Sequence, residues 1–83
     1  MNATENNVHE YAVLGCIIKD NTLIKDTPLR EEYFTGNTRM LFKAMIELEN
    51  ENKVIDIVSL LSKQLERNYG GIATINECNN RSN

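Results

Sequence analysis

KVIDIVSLLSKQL, residues Lys53 to Leu65, supports two opposite readings, and the choice between them decides the fold. Val54-Ile55-Asp56-Ile57-Val58 is rich in β-branched residues and looks like a strand. Leu60, Leu61 and Leu65 look like one side of a helix. A strand would have to place Asp56 and the Ile57-Val58 pair without clean alternation. A helix starting after Asp56 has a mechanism at each position. The Asp56 carboxylate can accept from the free N–H groups of a first turn. Ile55, one residue earlier, can pack on Leu60 as a hydrophobic staple. Ile57, Leu61 and Leu65 recur at steps of four, with Val58 and Leu60 widening the stripe. Lys63 and Arg67 sit where cations suit the helix dipole. The stretch reads as a capped helix.

The chain on either side follows the same period. From Glu5 to Ile18, Val8, Tyr11, Ala12, Gly15 and Ile18 line one side, while Val13, Leu14 and Ile17 add a second. This helix is therefore expected to be buried along most of its length. Gly15 in mid-helix costs ~1 kcal/mol against alanine, which is tolerable where another helix passes close by. TLIKDT is a short amphipathic piece stopped by Pro28. LREEYFTGN reads as a turn of helix and a loop, with Tyr33 and Phe34 folding inward. A third long helix runs from Thr38 to Asn50, capped by Asn37 or Thr38. Its stripes are Leu41, Met45 and Leu48, with Phe42 and Ile46 beside them. Gly70-Gly71 ends the helix begun at Asp56. IATINECNN then starts another, with Ile72, Ile75 and Cys78 (or Asn79) on one face. The closing NNRSN carries no core-forming residue and is expected to fray. The fold class is all-α: a compact orthogonal bundle of about five helices, one domain over 1-83 with its core over about 5-80. Leu41 and Leu61 are both core positions on this reading.

Composition bounds the function. The chain has 83 residues, 41% hydrophobic and 25% charged, with a net charge of −3. That suits one ordinary globular domain. No stretch approaches the ~20 apolar residues that cross a bilayer. The start MNATENNVHEY has no basic region ahead of an apolar run, so it does not read as a secretory signal, and the cytoplasm is the expected location. Nucleic-acid modules usually carry a basic patch. Here Lys19, Lys25 and Arg30 are interrupted by Asp20, Asp26 and the Glu31-Glu32 pair. Cys16 and Cys78 read as buried free thiols in a reducing compartment rather than as a disulfide. With His9 they are too few for a structural zinc site unless carboxylates are recruited.

No catalytic constellation emerges. Gly70-Gly71 lacks the Lys and Ser or Thr of a phosphate loop and reads as a helix end. His9 has no nucleophile at a recognisable spacing and reads as a surface histidine. Glu47 and Glu51 share a helix face beside Lys43 and, like Glu31-Glu32 and Glu49, read as a solvated face. Tyr11, Tyr33, Phe34 and Phe42 read as core rather than as a base-stacking platform. The residues alone describe a small helical interaction module with no catalytic, cofactor or metal residue. Its interface residues are left unassigned, because an exposed apolar side chain and a core one look alike in a sequence.

Four pieces of the chain, in order, carry a resemblance. Glu10 to Ile18 reads EYAVLGCII, Glu32 to Met45 reads EYFTGNTRMLFKAM, Ile55 to Leu60 reads IDIVSL, and Gly70 to Asn80 reads GGIATINECNN. Together they resemble the N-terminal domain of DnaB-type replicative DNA helicases, across nearly the whole of residues 8–80. Each piece is weak by itself, being mostly helix core and caps; Tyr11 stands where that family often has Ala or Gln. The resemblance implies an all-helical head on a hexameric, ATP-driven DNA-unwinding protein. Such heads assemble into a collar, commonly a trimer of dimers, and help recruit primase and the helicase loader. ATP and magnesium would belong to the parent's motor domain, none of whose residues can be placed here. The family's helical hairpin is not matched beyond Asn79-Asn80, so self-association into a dimer or hexamer collar is expected to be weakened. The chain is expected to be an excised domain or a natural fragment of a helicase. Two other readings fit the same residues: the helicase-binding domain of primase, and a free-standing phage adaptor or inhibitor that mimics the head.

Overall fold

The computed structural model describes residues 3–26, 28–65 and 69–81. Five α-helices follow one another: α1 (Ala3–Lys19), α2 (Leu23–Asp26), α3 (Gly36–Asn50), α4 (Ile57–Lys63) and α5 (Ile72–Arg81). A 3-10 turn, Glu31–Tyr33, precedes α3. No strand occurs among the described residues, and the stretch from Lys53 to Leu65 holds a helix, Ile57–Lys63, where its sequence allowed either; that helix stops well short of the Gly70-Gly71 pair expected to end it. The fold is all-α.

Helix α3 is the centre of the core. Thr38, Leu41, Phe42, Ala44, Met45 and Leu48 are all buried along it, at the three- and four-residue steps that place side chains on one face. Phe42 stacks on Phe34, with ring centroids 4.7 Å apart. Helix α1 contributes Leu14 and Ile17, and α5 contributes Ile75 and Cys78, to the same cluster. Gly15 is buried, and α5 is the helix that packs most extensively on α1. Such close neighbours offset the backbone entropy a mid-helix glycine costs.

Residues far apart in sequence set the helix ends. Asp56 is the N-cap of α4, with its Oδ1 accepting from Ser59 N–H at 2.8 Å. Ile55 and Leu60, the two ends of the expected staple, are both fully buried. Replacing Asp56 with Ala should lower stability by ~1 kcal/mol, read as a drop in the midpoint of chemical unfolding. An unchanged midpoint would show that the cap contributes nothing. The start of α3 differs from expectation: Thr35, not Asn37 or Thr38, is the N-cap. Its N–H donates to Glu10 Oε1 at 2.8 Å and to Thr38 Oγ1 at 3.2 Å. The Thr38 hydroxyl also reaches Glu10. Glu10 lies on α1, so this cap comes from another helix, and its negative charge suits the positive end of α3.

At the other end of α3, Asn52 adopts φ +60°. Lys53 N–H returns to Leu48 O at 2.9 Å and Asn52 N–H to Glu49 O at 3.1 Å. This is the Schellman closure, with asparagine in the left-handed position that glycine usually takes. Asn21 joins the two halves of the chain. Its amide donates to Ile17 O at 2.8 Å and Ile55 O at 3.0 Å, while its Oδ1 accepts from Ile55 N–H at 2.8 Å. One side chain thus closes the C-terminal end of α1 and satisfies both backbone groups of buried Ile55.

Several expected placements are corrected. Tyr33 does not fold inward; it is 57% exposed, and only Phe34 of that pair enters the core. Tyr33 closes the 3-10 turn while Phe34 is already extended, so the two side chains leave the backbone in different directions. Cys16 is exposed on α1 and only Cys78 is buried; both thiols are free. Ile72 is exposed, and the inward face of α5 is Thr74, Ile75 and Cys78. Helix α5 continues to Arg81, so most of the tail expected to fray is helical. Ser82, Asn83 and Arg67 lie outside the described residues.

Candidate interaction surface

Several of the groups considered for chemistry have structural roles. Among the described residues no cluster of three or more His, Cys, Asp or Glu side chains could hold a metal ion. His9 is exposed on α1. Burial pushes the Cys78 thiol up to about 12, so it stays protonated and a poor nucleophile at neutral pH. The glycine pair is no phosphate cradle. Gly70 has φ +95°, and a Cβ built there would lie 2.6 Å from Asn37 Nδ2 and 2.5 Å from Thr74 Oγ1. Its missing side chain makes room for those two groups.

Tyr69, which no periodicity pointed to, anchors this junction. Its ring is fully buried, and its hydroxyl donates to Leu60 O at 2.6 Å. Burial pushes the Tyr69 phenol up to about 12. Gln64 Oε1 accepts from Tyr69 N–H at 3.3 Å and Gly71 N–H at 3.1 Å. Thr74 Oγ1 donates to Tyr69 O at 2.8 Å. Helices α4 and α5 are thereby linked through a satisfied polar network.

The carboxylates of α3 are not merely a solvated face. Lys63 of α4 is buried, with its ammonium 2.7 Å from Glu51 and 3.6 Å from Glu47. Lys43, expected beside Glu47 and Glu51, pairs instead with Glu31 at 3.7 Å. Hydrogen bonds from Lys63 and then Lys53 hold the Glu51 carboxyl below its ordinary range. A depressed carboxylate stabilises the fold above its unfolded pKa, and that contribution is lost as pH falls through the folded value.

This ion pair, with Leu60 below and the Asp56 cap at one end, sets the rotation of α4 about its own axis. The outcome overturns the expected stripe. Leu60 and Lys63 face inward and Ile57 is half-buried. Val58 is 73% exposed, Leu61 38% and Leu65 93%. These three recur at steps of three and four, so they lie on one outward side of the helical stretch. Val54, just ahead of the cap, is exposed as well. Between Ile57 and Leu65 the only charged residue is Lys63, and it turns inward. The remaining polar residues on this segment are Ser59, Ser62 and Gln64. An exposed apolar side without charge differs from singly scattered surface residues, and such patches mark contact sites. The other large exposed apolar residues, Val13, Tyr33 and Ile72, sit on three separate elements.

A family model described as "DnaB-like helicase N terminal domain" matches residues 2–81 of the chain. The chain belongs to that family. Comparison with curated proteins and with solved structures finds no match. As a DnaB-like N-terminal domain, the chain is a non-catalytic domain of a helicase. Leu14, Leu41, Phe42, Ile55 and Leu60 fall within the stretches that carry the family resemblance, and all are buried. Those stretches therefore describe the scaffold. Of the outward residues, Val58 comes from one of those stretches, at a position the core does not use. Among the described residues no helix is long and apolar enough to cross a membrane.

Proposed function

We propose that this chain is the N-terminal head of a hexameric, ATP-dependent replicative DNA helicase, acting in the cytoplasm as a scaffold and regulatory domain. On this reading it takes part in forming the helicase collar and offers a surface on which primase and the helicase loader dock. Catalysis, ATP, magnesium and DNA contacts belong to the parent's motor domain. The observation that carries the reading is the family match over residues 2–81. The uncharged apolar side of α4 supports a docking role, because it leaves large side chains in water that only a partner would cover. A net charge of −3 suits a head that does not itself grip nucleic acid.

Two arms test this. Extending the reading frame beyond Asn83 should reveal a Gly-x-x-x-x-Gly-Lys-Ser/Thr motif roughly a hundred or more residues later. A reading frame without one would overturn the head reading in favour of a free-standing adaptor. Purified primase from the same source should be retained on the immobilised chain at low salt. No retention at tens of micromolar would remove the recruitment role.

A further inference from the structure

A groove of about 450 Å³ lies between α1 and α5 and reaches the start of α3. That is an ordinary size for a ligand site, ~300–1,000 Å³. Val8 and Ala73 line it with apolar groups, and Tyr11, Asn37, Glu77 and Arg81 with polar ones. Among the described residues, neither the Tyr11 hydroxyl nor the Asn37 amide has a hydrogen-bond partner. Asn37 Nδ2 stands 2.6 Å from where a Cβ on Gly70 would lie, so the glycine leaves that amide its room. The field at Tyr11 is negative. Burial, and after it nearby acidic groups that include Glu77 and Glu10, raises its phenol above the ordinary value. Glu10 is already engaged by Thr35 and Thr38, which leaves Glu77 as the carboxylate open to a ligand. Glu77 now holds Arg81, whose Nε donates to its Oε1 at 2.9 Å. Both side chains are partly exposed, 44% for Arg81 and 38% for Glu77, and such a pair one helical turn apart contributes little. The chain's own guanidinium therefore shows what Glu77 accepts, and it is easily displaced.

We propose that this groove binds the arginine side chain of a short extended segment of another protein, with the incoming guanidinium replacing Arg81 on Glu77. Charge selects a cation, because an anion would meet Glu77 and Glu10 on a chain of net charge −3. The groups present select arginine over lysine. A planar guanidinium pairs with a carboxylate through two parallel bonds and lies well against an aromatic ring such as that of Tyr11. Further along the groove, the Asn37 amide offers a donor and an acceptor, which are what a peptide group of the same segment needs. One side chain and a few backbone bonds bind weakly, with a dissociation constant on the order of a millimolar. The site is built by α1, α5 and the start of α3, and it does not depend on the docking role proposed for α4.

Titration of the whole isotope-labelled chain with the tripeptide acetyl-Ala-Arg-Ala-amide, followed by NMR, tests the site. The expected result is saturable shifts concentrated at Tyr11, Asn37, Ala73 and Glu77. The same tripeptide with citrulline, which keeps the shape without the charge, should bind ~10-fold more weakly, and Glu77→Gln should weaken the arginine peptide by about as much. Arg81→Ala removes the competing guanidinium and should tighten binding ~2-fold. Both variants alter partly exposed side chains, so both should keep the parent's unfolding midpoint. A chain whose spectrum does not move at tens of millimolar peptide overturns the proposal, as does equal binding of the citrulline peptide. Weaker binding by Arg81→Ala would make Arg81 part of the site rather than its competitor, and would overturn it as well. Because the probe is a peptide and not primase, none of these results bears on the helicase-head reading.

Discussion

Leu41→Ala should destabilise the chain by ~2–5 kcal/mol, whereas Leu61→Ala, the same chemical change, should cost well under half as much. Leu41 is fully buried in the middle of α3, among Phe42, Ala44 and Met45. Its removal costs the transfer energy of the lost methyl groups and leaves a cavity lined by side chains anchored on several helices. Leu61 is 38% exposed on the outer side of α4, so its truncation leaves an indentation that water can enter. Urea unfolding of both variants, followed by circular dichroism, measures the difference directly. Equal losses would mean that Leu61 is packed inward and that α4 is rotated about its axis. That result would remove the docking strip as well, since both rest on the same rotation.

Gly70→Ala is the second large expectation, at about 3 kcal/mol. The backbone φ of +95° lies outside the conformations that residues with a Cβ adopt readily, a strain of ~1–3 kcal/mol. The new methyl would also press on the Asn37 side chain and on Thr74 Oγ1. The Asn37 amide can swing away. The Thr74 hydroxyl can do so only by giving up its bond to Tyr69 O. Gly71→Ala, with φ +71° but open space where its Cβ would go, isolates the conformational part. The expected order of unfolding midpoints is therefore parent, then Gly71→Ala, then Gly70→Ala. Equal losses at the two glycines would show that the contact with Asn37 and Thr74 contributes nothing.

Local patterns in the sequence carried most of the architecture. The α1, α3 and α4 segments announce themselves through apolar residues at helical spacing, and Asp56 through the role of a short acceptor ahead of a first turn. The central place of α3 was legible because Leu41, Met45 and Leu48 recur at steps that one helix face explains, with Phe42 beside them. The end of α4 was not legible: the helix stops at Lys63, capped by Gln64, short of the Gly70-Gly71 pair expected to end it, and the part of Gly70 that packs against Asn37 left no trace either. Contacts between distant residues left no such trace. Glu10 binds the N-cap residue of α3, Thr35, across 25 residues, and nothing within either segment distinguishes it from a surface carboxylate. Asn21 binds Ile55 across 34 residues in the same way.

The rotation of α4 shows where local pattern stops and tertiary structure begins. Ile57, Val58, Leu60, Leu61 and Leu65 include two overlapping sets at helical steps, and either set could have faced the core. Hydrophobicity does not choose between them. The choice falls to the packing around the helix: Leu60 is fully buried and Lys63 is buried beside it, with its ammonium paired to Glu51 and Glu47, which offsets the cost of burying a charge. That rotation leaves Val58, Leu61 and Leu65 in water. The sequence by itself determined an all-α chain and its family, because these follow from periodicity, caps and the order of short patterns along the chain. Only the tertiary structure decided which apolar residues form the core and which form a surface, because that depends on partners brought together by folding.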